Sequence, residues 1–108
     1  GLDNLVAIVD YNKIQALGHT KDVVDLEPFA DKWSAFRWAV QEVDGHDCRA
    51  LESLLKSVPL QPGKPTCIIA HTVKGKGVSF MEDSLLWHYR NPQGEEYEKA
   101  LAELEANQ

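Results

Sequence analysis

Asn12 is the residue whose type and position most clearly suggest chemistry, because it follows an apolar run that stops abruptly. Residues 5–9 are apolar in succession and rich in β-branched side chains, which is typical of a strand buried on both faces of a parallel sheet. In open α/β sheets, ligands bind just beyond the carboxyl ends of the strands. The carboxamide oxygen of Asn12 and nearby backbone carbonyls would suit a hard cation there. A plain strand ending in an Asx-type turn is the alternative that these residues alone leave open.

A second candidate for ligand binding is the segment Lys74-Gly75-Lys76-Gly77. Its glycines permit close approach of the backbone to a phosphate, and its lysines supply positive charge. The segment does not follow the Walker A pattern, and no Gly-x-Gly-x-x-Gly occurs in the chain. The sequence therefore favours a phosphate-contacting loop of another kind over a P-loop or a dinucleotide site.

The elements that must position these residues alternate between strand and helix periodicity. We predict strands, helices and their connections in this order: a strand over 4–9, a loop containing 18–20, a helix from near Pro28, a strand over 38–43, a helix over 49–57 capped by Asp47, a strand over 66–72 and a helix over 95–106. Phe29, Trp33 and Phe36 share one helical face and should enter the core. This alternation predicts an α/β fold, a parallel sheet with flanking helices.

Composition excludes several classes of protein. The chain has 108 residues, which fits a single domain over 1–108, and 44% of them are hydrophobic, enough for a core. Its net charge of −6 argues against nucleic acid, whose phosphates attract basic surfaces. No apolar run approaches membrane-spanning length, so we expect no membrane partner. Cys48 and Cys67 form no Cys-x-x-Cys pair, and with no secretory signal pattern we expect a cytoplasmic protein with reduced thiols.

Several motifs, in order and over nearly the whole chain, resemble the diphosphate-binding domain of transketolases. The segments that carry the resemblance are Leu2-Asp3-Asn4-Leu5-Val6-Ala7-Ile8-Val9-Asp10-Tyr11-Asn12-Lys13-Ile14-Gln15, Lys32-Trp33-Ser34-Ala35-Phe36, Glu42-Val43-Asp44-Gly45-His46-Asp47, Lys64-Pro65-Thr66, Lys74-Gly75-Lys76-Gly77-Val78-Ser79-Phe80-Met81-Glu82 and Trp87-His88-Tyr89-Arg90. The first resembles the second half of the family's thiamine-diphosphate motif. The likeness is greatest to the N-terminal subunit of bacterial transketolases encoded as two chains.

The resemblance implies a cofactor, a metal and roles for three residues. It implies thiamine diphosphate held through magnesium, with the Asn12 side chain and the Ile14 backbone carbonyl as metal ligands. It assigns His88 to the diphosphate and the bound sugar, as a cofactor-binding and catalytic residue. Residues 73–88 would form a mobile loop over the cofactor site. The implied reaction is transfer of a two-carbon ketol unit between sugar phosphates, as in the pentose phosphate pathway.

Departures from the family pattern limit what this chain should do alone. The family's motif begins with Gly-Asp-Gly well before the asparagine, but only eleven residues precede Asn12. The aspartate ligand and its strand are thus missing, no carboxylate matches the glutamate that activates the cofactor, and Arg37 stands where the family usually has glycine. We therefore expect a partial domain that is inactive in isolation and forms a homo-oligomer or joins a complementary chain. The alternative function is a non-catalytic α/β module for oligomerisation or interaction, derived from a transketolase.

Overall fold

The computed structural model describes residues 1–106, which form two compact units. The first unit comprises residues 1–12 and 25–72, and the second comprises residues 13–24 and 73–106. The elements in chain order are β1 (Val6–Tyr11), β2 (Ile14–Gln15), β3 (Gly18–His19), α1 (Thr20–Val23), α2 (Phe29–Ala35), β4 (Ala39–Asp44), α3 (Cys48–Lys56), β5 (Thr66–His71), a 3₁₀ helix (Leu85–His88) and α4 (Glu95–Ala106). None of the helices described is both long enough and apolar enough to span a bilayer.

The first unit is built on a three-stranded parallel sheet in the order β1-β5-β4. Val6 and Ala39 both pair with Thr66 at one end of the sheet, whereas Tyr11 and Asp44 belong to pairs at the other end, where β5 finishes. This common register brings the carboxyl ends of all three strands to one edge. With α2 and α3 beside it, the sheet confirms the predicted α/β class.

Burial differs sharply between the two strands that were predicted to be covered on both faces. The prediction is confirmed for β5, in which residues 66–70 are at most 5% exposed, because β5 lies between two other strands. It is wrong for β1, where Val6 is 36% and Ile8 56% exposed. β1 lies at the edge of the described sheet, and only its face with Val9 and Tyr11 packs into the core.

Aromatic side chains of α2 cover that inner face of the sheet. The Phe29 ring centroid lies 5.2 Å from that of Tyr11 and 6.2 Å from that of Trp33, and Trp33 meets Trp38 edge-on at 4.9 Å. The core placement predicted for Phe29 and Trp33 is thereby confirmed. Phe36, predicted on the same face, is instead 80% exposed, because the helix has ended one residue earlier.

A left-handed turn at Arg37 connects α2 to β4. Arg37 has a φ of 66°, in the region that glycine adopts most readily. Its backbone N–H donates to the Ser34 carbonyl oxygen at 2.9 Å, which helps to hold the turn. The junction therefore forms in the conformation that favours glycine, although an arginine occupies it.

The cap of α3 forms as the sequence predicts. The Asp47 carboxylate accepts hydrogen bonds from the backbone N–H groups of Arg49 at 3.0 Å and Ala50 at 2.9 Å. These two donors have no partner within the helix, so an N-cap acceptor satisfies them. α3 begins at Cys48 and packs against β4.

The second unit contains β2, β3, α1, the 3₁₀ helix and α4. Residues 13–24 were predicted as a loop, but Ile14 pairs with His19 in a two-residue antiparallel ladder that leads into α1. Strands this short carry no readable periodicity. The span of α4 matches the predicted 95–106. Trp87 is 7% exposed, and its indole N–H donates to the Phe80 carbonyl oxygen at 3.0 Å.

Candidate functional site

The carboxyl ends of the three parallel strands gather polar side chains at one edge of the first unit. Tyr11, His71 and Asp44 end their strands at the same level. Asn12 follows β1 directly and is partly buried. Ligands of open α/β sheets bind at this edge. The structure therefore places Asn12 where its sequence position predicts, while its role as a metal ligand stays a prediction.

Two side-chain hydrogen bonds hold the last residues of β1. The Thr72 hydroxyl donates to the Asp10 carboxylate. The Tyr11 hydroxyl donates to Glu27 Oε1 at 2.7 Å, and the other Glu27 oxygen accepts the Phe29 backbone N–H at 2.9 Å. The bonds from the Phe29 N–H and the Tyr11 hydroxyl stabilise the carboxylate and hold the pKa of Glu27 below its ordinary value. Glu27 is therefore ionised at neutral pH.

The ends of β4 and β5 are joined by a second set of polar contacts. His71 Nε2 lies 3.0 Å from Glu42 Oε2 on the neighbouring strand. The Gly45 backbone N–H donates to the His71 carbonyl oxygen at 2.8 Å, and the His46 backbone N–H donates to Asp44 Oδ1 at 2.9 Å. The turn after β4 is thus tied to the end of the central strand.

Ile14 and His88 both belong to the second unit. Ile14 is 8% exposed, and its strand β2 packs against the 3₁₀ helix that His88 completes. The His88 side chain is exposed, with its ring edge-on to Tyr89 at 4.6 Å between centroids. The structure therefore brings together the two segments that carry these predicted site residues.

The glycine-lysine segment closes on a carboxylate of its own chain. The Gly77 backbone N–H donates to Glu82 Oε1 at 3.1 Å, and the Lys76 ammonium lies 3.5 Å from the same oxygen. Gly75 has a φ of 76°, and a side chain there would overlap Met81. The groups predicted to contact a phosphate therefore hold an internal anion in this structure.

The oxygen donors at the strand ends fit magnesium held together with a diphosphate. Magnesium prefers oxygen ligands and commonly takes only one or two from protein, with phosphates completing its shell. Among residues 1–106, no three His, Cys, Asp or Glu side chains form a group that could hold a metal ion. The amide oxygen of Asn12 and the backbone carbonyl of Ile14 are neutral donors. Such donors suit a cation whose charge is balanced by a phosphorylated cofactor.

The chain matches a known protein family over almost its whole length. The family is described as transketolase, thiamine diphosphate binding domain, and the match spans residues 1–102. This chain belongs to that family. As in the predicted assignment, the transketolase relationship covers the α/β sheet and both segments of the second unit.

Curated transketolase relatives share nearly half of the aligned residues. One of the two subunits named for apulose-4-phosphate transketolase in Phocaeicola vulgatus is 44% identical over 95% of this chain, and its counterpart in Actinobacillus succinogenes is 47% identical over 95%. The 6-deoxy-6-sulfo-D-fructose transketolase subunit SqwG of a Clostridium species is 44% identical over 96%. The chain spans only 37% of the length of the first two relatives and 38% of the third.

The sequence pattern did not reveal the contacts made by Thr72 and Glu27. Thr72 is 62 residues from its partner Asp10, and Glu27 is 16 residues from Tyr11. One signal was available for Thr72, which follows the apolar strand β5 just as Asn12 follows β1. Polar residues at the ends of neighbouring parallel strands meet at one edge, so this pairing was accessible from the predicted topology.

Proposed function

We propose that this chain is the diphosphate-binding portion of a transketolase-like enzyme that transfers a two-carbon ketol unit between sugar phosphates. Membership of the thiamine diphosphate binding family supports the cofactor, and the transketolase subunits similar to it support the reaction class. The observation that carries the proposal is the position of Asn12, a neutral oxygen donor at the carboxyl end of β1 in a chain of this family.

Three residues of the chain act on the cofactor in this proposal. The Asn12 side-chain oxygen and the Ile14 carbonyl oxygen bind magnesium and thereby hold it against the diphosphate. The exposed imidazole of His88 donates a hydrogen bond to the diphosphate or to the bound sugar, which places it in contact with the reacting molecules. When bound, thiamine diphosphate supplies the nucleophilic thiazolium carbon to which the ketol unit is transferred.

We further propose that a complementary chain completes the enzyme. Relatives that this chain resembles over 95% of its length are named as transketolase subunits. The partner would contribute the carboxylate that activates the cofactor, for which the sequence offers no match. A homo-oligomer is the other assembly that would cover the exposed Ile8 side of β1.

Calorimetric titration of the chain with thiamine diphosphate tests the proposal, with and without magnesium. We expect binding that requires magnesium, is lost in Asn12→Ala and is weakened about tenfold in His88→Ala, the loss of one hydrogen bond to a charged group. Asn4→Ala is the matched control, because Asn4 is exposed and precedes β1 at its opposite end. Magnesium-dependent binding that survives Asn12→Ala would contradict the assigned ligand set.

A non-catalytic module that acts through association is the second candidate function. The exposed apolar side chains of Val6 and Ile8 on an edge strand favour it, since such edges promote pairing between chains. The same titration separates the two functions. No heat at millimolar cofactor, together with oligomers in sedimentation, would support the module, whereas a monodisperse monomer at high concentration would contradict it.

A further inference from the structure

We propose that Thr72 and Glu27 are positioning residues for Asn12, because they fasten the end of β1 from the two opposite faces of the sheet. The inference rests on the proposed function, in which Asn12 binds magnesium. It concerns side chains that do not contact the cation themselves. Their role is to fix the point and direction at which the chain leaves the strand.

The first fastening lies on the exposed face of β1. Asp10 shares this face with Ile8, and its carboxylate accepts the Thr72 hydroxyl. The backbone N–H of Thr72 also donates to the Tyr11 carbonyl oxygen at 3.4 Å. A single residue after the central strand therefore holds two consecutive residues of β1, immediately before Asn12.

The second fastening lies on the core face. Tyr11 is 6% exposed, with its ring against Phe29 and its hydroxyl on Glu27. The same Glu27 carboxylate accepts the Phe29 backbone N–H at the start of α2. A hydrogen bond to an ionised acceptor is stronger than one between neutral groups. The end of β1 is thus bound to a helix on one face and to β5 on the other.

These fastenings matter because strand ends fray and metal ligands must be held in place. An edge strand has a ladder on one side only, so the last residues of β1 depend on other contacts for order. Residues that orient a metal ligand from behind affect metal affinity by about 10–100-fold. Without these contacts, ordering Asn12 would have to be driven by the binding of magnesium itself.

The test uses two substitutions that each remove one hydroxyl and little else. Thr72→Val keeps the branched side chain and the backbone N–H, and Tyr11→Phe keeps the ring in the core. Ser79→Ala is the control, because it removes a hydroxyl that donates to the Glu103 carboxylate at 2.8 Å within the second unit. Thr72→Ser, which restores a hydroxyl, serves as the rescue.

Two measurements are made on each variant. Hydrogen exchange of the ligand-free chain at the amides of residues 12 and 13 should become about three- to tenfold faster in Thr72→Val and Tyr11→Phe, as expected for the loss of one hydrogen bond. Magnesium titration at saturating thiamine diphosphate should weaken about tenfold in both. Ser79→Ala should match the wild type in both measurements, and Thr72→Ser should recover most of the loss.

The outcomes separate this inference from the proposed function. Wild-type protein that binds no magnesium with thiamine diphosphate would overturn the proposed function, and the metal-positioning role with it. Wild-type binding with unchanged affinity in Thr72→Val and Tyr11→Phe would overturn the inference alone. Lower thermal stability with unchanged magnesium affinity would reduce both residues to a structural role and would also overturn it.

Discussion

Glu27 is the single side chain on which two connections of the first unit depend. Its carboxylate accepts one hydrogen bond from Tyr11 at the end of β1 and another from the start of α2 at Phe29. Both donors favour the ionised form, which is why its pKa lies below the ordinary value of a glutamate. No local pattern marks this residue, since its partners are defined by the packing of a helix on a sheet.

At the residue scale we predict a pH dependence of stability that Glu27 contributes. A carboxyl group whose pKa is lowered by folding stabilises the native state above its unfolded pKa, and the contribution is lost as pH falls through the folded pKa. Glu27→Gln should therefore show a shallower fall in melting temperature between about pH 5 and pH 3 than the wild type. Glu105→Gln removes an exposed carboxylate from α4 as a control. Equal slopes for Glu27→Gln and wild type would rule out this contribution.

The helices and strands of the chain are limited by identifiable local chemistry. Asp47 starts α3 through two backbone N–H groups, and a left-handed residue ends the turn after α2. The longer elements were predictable because capping and periodicity are properties of neighbouring residues. β2 and β3 were not, because two residues cannot display a period and their pairing depends on distant parts of the second unit.

At the element scale we predict that Arg37→Gly stabilises the protein. A non-glycine residue at a φ of 66° carries steric strain that glycine relieves, partly offset by the greater freedom of glycine in the unfolded chain. The expected gain is about 0.5–1 kcal/mol in the free energy of unfolding, measured in urea. Arg37→Ala keeps the Cβ atom and should stay close to the wild type. The idea fails if the glycine variant is the less stable of the two.

The whole chain passes between its two units three times, after residues 12, 24 and 72. Each unit therefore contains segments that are distant in sequence. Hydrophobic periodicity reports on one segment at a time, so it cannot show this interleaving. The central strand of the first unit is the part least accessible to solvent, and Cys67 within it is fully buried.

At the scale of the whole molecule we predict that Cys67 reports on opening of the sheet. Burial removes the thiol from reagents and raises its pKa, and the thiolate is the reactive form. Ellman's reagent should label one thiol rapidly in the native protein, the exposed Cys48, and the second only under unfolding conditions. Cys48→Ser should lose the rapid phase. Two rapid equivalents would show that β5 opens without global unfolding.

The sequence by itself determined the family, the α/β class and the longer elements, and it located Asn12 at a strand end. These properties follow from motifs and periods carried by contiguous residues. Tertiary structure alone decided that β5 is central, that Ile8 lies exposed at the edge and that Glu82 occupies the glycine-lysine segment. It also decided which groups hold the end of β1, Thr72 among them. Those outcomes depend on contacts between residues far apart along the chain, and no local pattern encodes them.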